Sequence, residues 1–243
     1  MGAMKSWIDY WNRPNGIFVS ELHKRAHYEH IFANVRPFLP RGAGSAVLDW
    51  GCGEAVAAER MAAVCERVYL FDPAEIIRTR LAERHKNNPA IRVLDNDALQ
   101  RLTAGCLDLI LINSVVQYVS RAELTAALSD LRRLLKPAGR LLIGDVIVPG
   151  TKLWQHVTVF LNFAYRNGFA VPAMVGLVRN FLPSSYSSLQ RSHGIAKYSE
   201  RDFLALLRDC GFAGERLPRN IAVSPVRSSY LARPSPQPSA AAK

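Results

Sequence analysis

Two carboxylates and two glycines set the chemistry open to this chain. Asp49 stands two residues before Gly51, and Gly53 follows, within Ser-Ala-Val-Leu-Asp-Trp-Gly-Cys-Gly-Glu-Ala-Val over residues 45–56. Glycines let a backbone come close to a ligand, and N–H groups at the start of a following helix face it. An acidic side chain beside such a loop repels a pyrophosphate but suits a ligand with positive charge. The dinucleotide fingerprint Gly-x-Gly-x-x-Gly would need glycine at 56, where Val56 stands. Asp72 lies 23 residues after Asp49, near the interval at which a carboxylate grips ribose hydroxyls in nucleotide-binding βαβ units. Its two acceptor oxygens match two vicinal hydroxyl donors. A tight strand–helix turn at 49–53 and an N-cap at Asp72 for a helix over 74–86 are the bland alternatives.

These residues need a particular scaffold. Ala46-Val47-Leu48 reads as a buried strand bounded by Gly42 and Gly44, with alanine-rich helix from Glu54 to Val64. Further strands are predicted at 67–71, 91–94, 107–112 and 140–147, the fourth fully apolar apart from Asp108. Ser120 caps a helix over 120–135, with Glu123 at the capping-box position and Leu124, Leu128, Leu131 and Leu135 as its buried stripe. Lys136-Pro137-Ala138-Gly139 reads as the turn into strand 5. A helix with Ser20 as N-cap runs from Phe18 to about Phe38, after a turn at Pro14-Asn15-Gly16. Helix 199–210 precedes two strands, 215–223 and 226–232, expected as an antiparallel edge hairpin. Alternation of strand and helix implies an α/β, doubly wound, seven-stranded and mostly parallel sheet with helices on both faces.

The motif Asp49-x-Gly51-x-Gly53-x-Ala55 resembles the first motif of the class I S-adenosylmethionine (SAM)-dependent methyltransferases, with alanine at its last glycine. The run "LLKPAGRLLI" falls where that family places its fifth strand. The resemblance covers residues 45–145 in motif order, and 199–232 more loosely. It implies SAM as cofactor, held by Asp49, Gly51, Cys52, Gly53, Asp72 and Pro73. It also implies Asp97-Ala98 after strand 3 at the adenine, with Asp95 as competitor, and contacts from Asn113 and Ser114 at the end of strand 4. DNA and RNA amino-methylases carry Asn/Asp-Pro-Pro-aromatic there. Asn113-Ser114-Val115-Val116 lacks both prolines, which disfavours base N-methylation.

In-line displacement at the sulfonium methyl needs the nucleophile held in near-attack geometry, and no metal. A hydroxyl or protonated amine would need a base. Candidates are His23 and His27 on the first long helix, His156 and His193 in the insertion, and Asp145 at the end of strand 5. The pair His23/His27 at i, i+4 lacks the glutamate of a zinc site, since Lys24 follows His23.

The formal charge of +11 is uneven: +3 falls to residues 1–145 and +8 to residues 146–243. From Val146 to Ser199 there is no Asp or Glu, among many apolar residues. Arg166, Gly168, Pro172 and Arg179 break any membrane-spanning stretch, so the insertion is expected as a helical lid. An apolar lid with positive charge suggests a hydrophobic small-molecule substrate, with peripheral contact to an anionic membrane as a further role. Packing on the sheet edge or a dimer interface is the alternative. No dense Lys/Arg run supports a nucleic-acid partner. Scattered Cys52, Cys65, Cys106 and Cys210, with no signal peptide, suit a reducing, cytoplasmic setting. The expected organisation is an N-terminal helical cap (1–40), a SAM-binding core (41–147), the lid (148–198), the closing helix and edge strands (199–232) and a disordered tail (233–243). The expected function is SAM-dependent methyl transfer to a small lipophilic acceptor. A non-catalytic SAM-binding subunit, an RNA or protein methyltransferase, and a nicotinamide oxidoreductase are the rivals.

Overall fold

The computed structural model describes residues 6–12, 18–180 and 194–235. The turn at Pro14-Asn15-Gly16, His193 and the tail from 236 lie outside them. Strands β1 (Gly42–Trp50), β2 (Cys65–Phe71), β3 (Ile91–Leu94), β4 (Leu107–Asn113), β5 (Leu135–Ile147), β6 (Phe212–Arg216) and β7 (Arg227–Pro234) form one seven-stranded sheet. Their order is 3-2-1-4-5-7-6, parallel except that β7 runs antiparallel to β5 and β6. The seven-stranded, mostly parallel expectation holds.

Successive side chains of a strand point to opposite faces, so the apolar strands feed two cores. Leu48, Ile110, Ile112, Leu141 and Ile143 meet the leucine stripe of α6 (Arg121–Leu134) and Phe203, Leu206 and Leu207 of α9 (Glu200–Asp209). Val47, Leu109, Leu111 and Leu142 meet Ile31 and Val35 of α2 (Glu21–Val35), Met61 of α3 (Ala58–Ala62) and Leu81 of α4 (Glu75–His85). Ser20 caps α2 by accepting from the His23 N–H, and Ser120 with Glu123 forms the capping box of α6, both as the sequence predicts. Four further α-helices are short or inserted: α1 (Trp7–Trp11), α5 (Asn96–Gln100) and the pair α7 (Leu153–Arg166) and α8 (Ala170–Asn180).

Several boundaries differ from the sequence-based expectation. Residues 54–57 are turns, and α3 starts only at Ala58, because Ala55 takes a left-handed backbone (φ 43°) that interrupts a helix. Gly42 and Gly44 lie inside β1 and not before it, at a register shift that their positive φ values allow. Lys136 to Gly139 stay in β5 as an irregularity in its ladder with β4, so no turn precedes the strand. The edge hairpin forms, but β6 starts at Phe212 and stops at Arg216, since Pro218 and the polar residues after it leave the ladder.

The isolated acid in β4 has a structural use. Asp108 Oδ2 accepts from the Ala46 N–H at 2.9 Å and from Lys136 Nζ at 2.7 Å, tying the middle of β1 to the first residues of β4 and β5. Asp108→Ala leaves the Ala46 N–H without its acceptor. It is expected to lower stability by about 1–3 kcal/mol, read as a lower urea midpoint at unchanged m-value.

Candidate active site

The strand order reverses between β1 and β4, and a cavity of about 1130 Å³ opens above the C-terminal ends of these strands. Its walls come from the loop after β1, the ends of β2, β4 and β5, helix α2, and α1 with residues 194–196. Asp49, Gly51, Cys52, Gly53, Asp72, Pro73, Asn113 and Ser114 all line it, so the tertiary fold brings most of the expected cofactor residues together. The segment after β3 differs. Asp97 is exposed and Asp95 caps α5 by accepting from the Ala98 N–H at 2.7 Å, while the neighbouring Asn96 reaches the cavity wall.

The glycine loop is held by backbone bonds. Gly51 and Cys52 donate N–H groups to Phe71 O at 2.7 and 3.0 Å, and Gly53 N–H donates to Asp72 Oδ2 at 3.0 Å. Asp72 Oδ1 accepts from the Ala74 N–H at 2.9 Å. Gly51 has φ 76°, and a Cβ there would stand 2.4 Å from Val115 Cγ2, so glycine is required on two counts. Helix α2 braces the loop from above. Lys24 pairs with Glu54 at 2.5 Å, and Tyr28, half-buried and with its phenol pushed well above the ordinary value by desolvation, lies 3.6 Å from where a Cβ on Gly53 would be.

Asp49 and Asp72 stand close in this half of the cavity. Burial, with the neighbouring Asp72 charge adding to it, raises Asp49 to about 7. Burial also raises Asp72, partly offset by the N–H groups of Ala74 and Gly53. A pair of carboxylates sheltered from water fits a cationic ligand, and each Asp72 oxygen keeps lone-pair capacity for a hydroxyl donor. This donor set suits the ammonium, sulfonium and ribose of SAM.

The other half is a polar knot. Asp145 accepts from Ser114 Oγ at 2.8 Å, Arg227 Nη1 at 2.5 Å and Asn220 Nδ2 at 3.3 Å, and its own N–H donates to Asn220 Oδ1 at 3.0 Å. Ser114 (φ 58°) and Asp145 (φ 66°) are both left-handed non-glycine residues, at adjacent strand ends, and strain of this kind gathers at functional sites. Asn113 Oδ1 and Gln117 Oε1 are buried acceptors without a hydrogen-bond partner. They leave capacity for donors on a ligand.

The candidate histidines separate. His27 lines the cavity, and burial lowers it to about 4 despite the Asp145 charge, so the imidazole is neutral at physiological pH. His23 also reaches the wall, but its Nδ1 accepts from the Val19 N–H at 3.3 Å and its ring stacks on Phe169 at 4.8 Å. Burial lowers it too. That is a packing role. His156 lies off the wall, with Nε2 3.3 Å from Thr151 Oγ1. Arg227, Asn220, Gln117 and the aromatic strap Trp7 and Trp11 were not foreseen from sequence. Of these, only the i, i+4 spacing of the two tryptophans carries a signal.

Among the described residues, the aromatics of α7 and of the α7–α8 turn do not form the cavity wall. Phe160, Phe163 and Phe169 pack on the back of α2 around His23 and His30, and none of the described side chains of α7 or α8 lines the cavity. Of the expected lid (148–198), α7 and α8 thus buttress α2, residues 194–196 line the cavity, and 181–193 lie outside the described residues.

Comparison with known proteins agrees with this geometry. Residues 48–143 match the family model described as a methyltransferase domain. This stretch is a class I SAM-dependent methyltransferase domain, a family whose cofactor is SAM. The chain is 28% identical over 152 residues to Nodulation protein S of Sinorhizobium fredii (strain NBRC 101917 / NGR234), covering 61% of this chain and 66% of that protein. It is 33% identical over 124 residues to Nodulation protein S of Rhizobium tropici, covering 49% of this chain and 51% of the relative. The matches thus span just under two thirds and about half of these relatives' lengths. The fold is similar to that of N-methyltransferase NodS from Bradyrhizobium japonicum WM9 in complex with S-adenosyl-L-homocysteine, with a TM-score of 0.54 at 18% identity, covering 93% of this chain and 94% of that one.

The raised Asp49 predicts a pH dependence of SAM binding. A cation favours the carboxylate, so binding below pH 7 must release the proton that the empty site holds. Affinity is expected to rise between pH 5.5 and 7.5, by at most about tenfold per unit, and Asp49→Asn should flatten the profile in calorimetry. Unliganded stability runs the opposite way. The folded group resists ionising while the unfolded one titrates near its model value of 3.8, so Asp49's contribution is lost as pH rises toward about 7.

Proposed function

We propose that this chain transfers the methyl group of SAM to a nitrogen of a small molecule with an apolar body. The observation that carries the reading is the two-ended cavity, with paired carboxylates beside a glycine loop at one end and the Asp145 knot at the other. Bound at the carboxylate end, SAM supplies a methyl carbon already activated by its sulfonium sulfur. The residues of this chain then need only bind, orient and exclude water. Asp49 balances positive charge, and Asp72 accepts from the ribose hydroxyls while it holds the loop.

At the other end, Ser114 and Arg227 fix the orientation of the Asp145 carboxylate, leaving Asp145 and the neutral His27 as acceptors for an N–H of the substrate. One of them takes the proton that the amine loses as its lone pair is engaged. Trp7, Trp11, Phe18, Tyr118 and Ile195 also line the cavity and support an apolar substrate body. The choice of nitrogen is supported by the description of the Bradyrhizobium japonicum protein as an N-methyltransferase.

The test is release of S-adenosylhomocysteine from SAM in the presence of lipophilic amines, with matching alcohols and carboxylic acids alongside. Amines are expected to support turnover. Asp145→Asn should lower kcat by about 10²–10⁴-fold while SAM affinity changes little. Binding of SAM without turnover on any nucleophile would instead indicate a non-catalytic subunit. Turnover on alcohols alone would overturn the choice of nitrogen.

A further inference from the structure

Among the described residues, nothing covers the outward side of the inserted helix pair. Helix α8 packs inward through Ala173 and Gly176, where a Cβ on Gly176 would stand 2.3 Å from Val19 Cγ1. Its opposite side carries Val171, Met174, Val175 and Val178 at i, i+3, i+4 and i+7, one continuous helical stripe. They are 74, 61, 55 and 69% exposed. On α7, Trp154 and Tyr165 are 61 and 79% exposed, and a separation of three helical turns puts them on one side. A contiguous apolar face of this kind marks a contact surface, unlike scattered surface leucines.

Charge decides what covers it. No Asp or Glu occurs between Val146 and Ser199. Lys152 and Arg166, at the two ends of α7, are exposed, and neither pairs with a carboxylate among the described residues. A second copy would set two cationic faces against each other, at a cost that grows as water is excluded. An anionic lipid surface gains on every count. The valines and methionine enter the headgroup–acyl boundary, Trp154 and Tyr165 suit the headgroup level, and the lysine and arginine reach lipid phosphates.

We propose that α7 and α8 form a docking face for an anionic membrane surface. The helices lie in the interface plane, and no described helix is long and apolar enough to cross a bilayer. The face is joined to the catalytic end through α2. Phe160, Phe163 and Phe169 seat the pair on one side of α2, whose other side presents His27, Tyr28 and Ile31 to the cavity. Docking would hold the cavity next to the lipid.

Co-sedimentation of the full chain with vesicles tests this. Vesicles of phosphatidylcholine with about 30% phosphatidylglycerol are expected to bind at least about tenfold more tightly than phosphatidylcholine alone, and to release the protein in about 0.5 M salt. Combining Val171→Ser, Met174→Ser, Val175→Ser and Val178→Ser should reduce binding at least about tenfold, with SAM binding retained as the folding control. Trp154→Ala with Tyr165→Ala, on α7 alone, should weaken binding without touching the packed side of α8. Lys152→Gln with Arg166→Gln should remove the preference for anionic vesicles. Equal vesicle binding by wild type and by folded variants would overturn the proposal, as would no binding to anionic vesicles. A dimer seen by light scattering and lost in the stripe variants, without vesicle binding, would assign the face to a second copy and also overturn it.

Discussion

The reversal of strand order between β1 and β4 is the constraint on which the rest depends. Crossovers from β1 run to one side of the sheet and those from β4 to the other, so no connection covers the gap between the two strand ends. A cavity there follows from topology alone, and the chain must then line it with groups that tolerate partial burial. The loop after β1 does this with two left-handed glycines and backbone bonds to Phe71, so little side-chain bulk intrudes. Asp72 completes the arrangement by bonding both the loop and the start of α4, and so couples ligand contact to loop shape.

The cavity then divides by electrostatics. At one end two carboxylates share a sheltered space, and the neutralisation of Asp49 toward pH 7 reflects what an unmatched negative charge costs away from water. At the other, Asp145 is surrounded by donors from three elements, and backbone strain at Ser114 and Asp145 is tolerated because the knot over-determines both positions. Contrast between an end with two sheltered carboxylates and an end where Asp145 is held by its donors beside open acceptors on Asn113 and Gln117 gives the site a direction.

Helix α2 connects this site to the insertion. Its inner side meets the glycine loop through Lys24 and Tyr28, and its outer side accepts the phenylalanines of α7 and the α7–α8 turn. The insertion therefore acts on the site at one remove, by supporting the wall. Apolar lining of the cavity comes instead in part from α1, which is fastened to α4 by Asn12 Oδ1 accepting from the Ile76 N–H at 3.2 Å.

The architecture was legible in the sequence because it is carried by local signals. Apolar strand runs, the Ser120–Glu123 cap, and the spacing from Asp49 through Gly53 to Asp72 each act within a few residues or one βαβ unit, and all reappear in the structure. What remained hidden was long-range. That Asp145 meets Arg227 and Asn220, that Asp108 ties three strands, and that Asn96 and not Asp97 reaches the cavity all depend on how distant segments pack. The histidines show the division most clearly. Sequence placed His23 and His27 on one helix face, four residues apart, and by itself treated them alike. Only the packing of Phe169 on one, and the burial of the other at the cavity wall, made the first a wall support and left the second a neutral imidazole facing the cavity, despite the Asp145 charge nearby. Helical periodicity determines which face a side chain shares, whereas its chemistry is set by what the rest of the fold brings against that face.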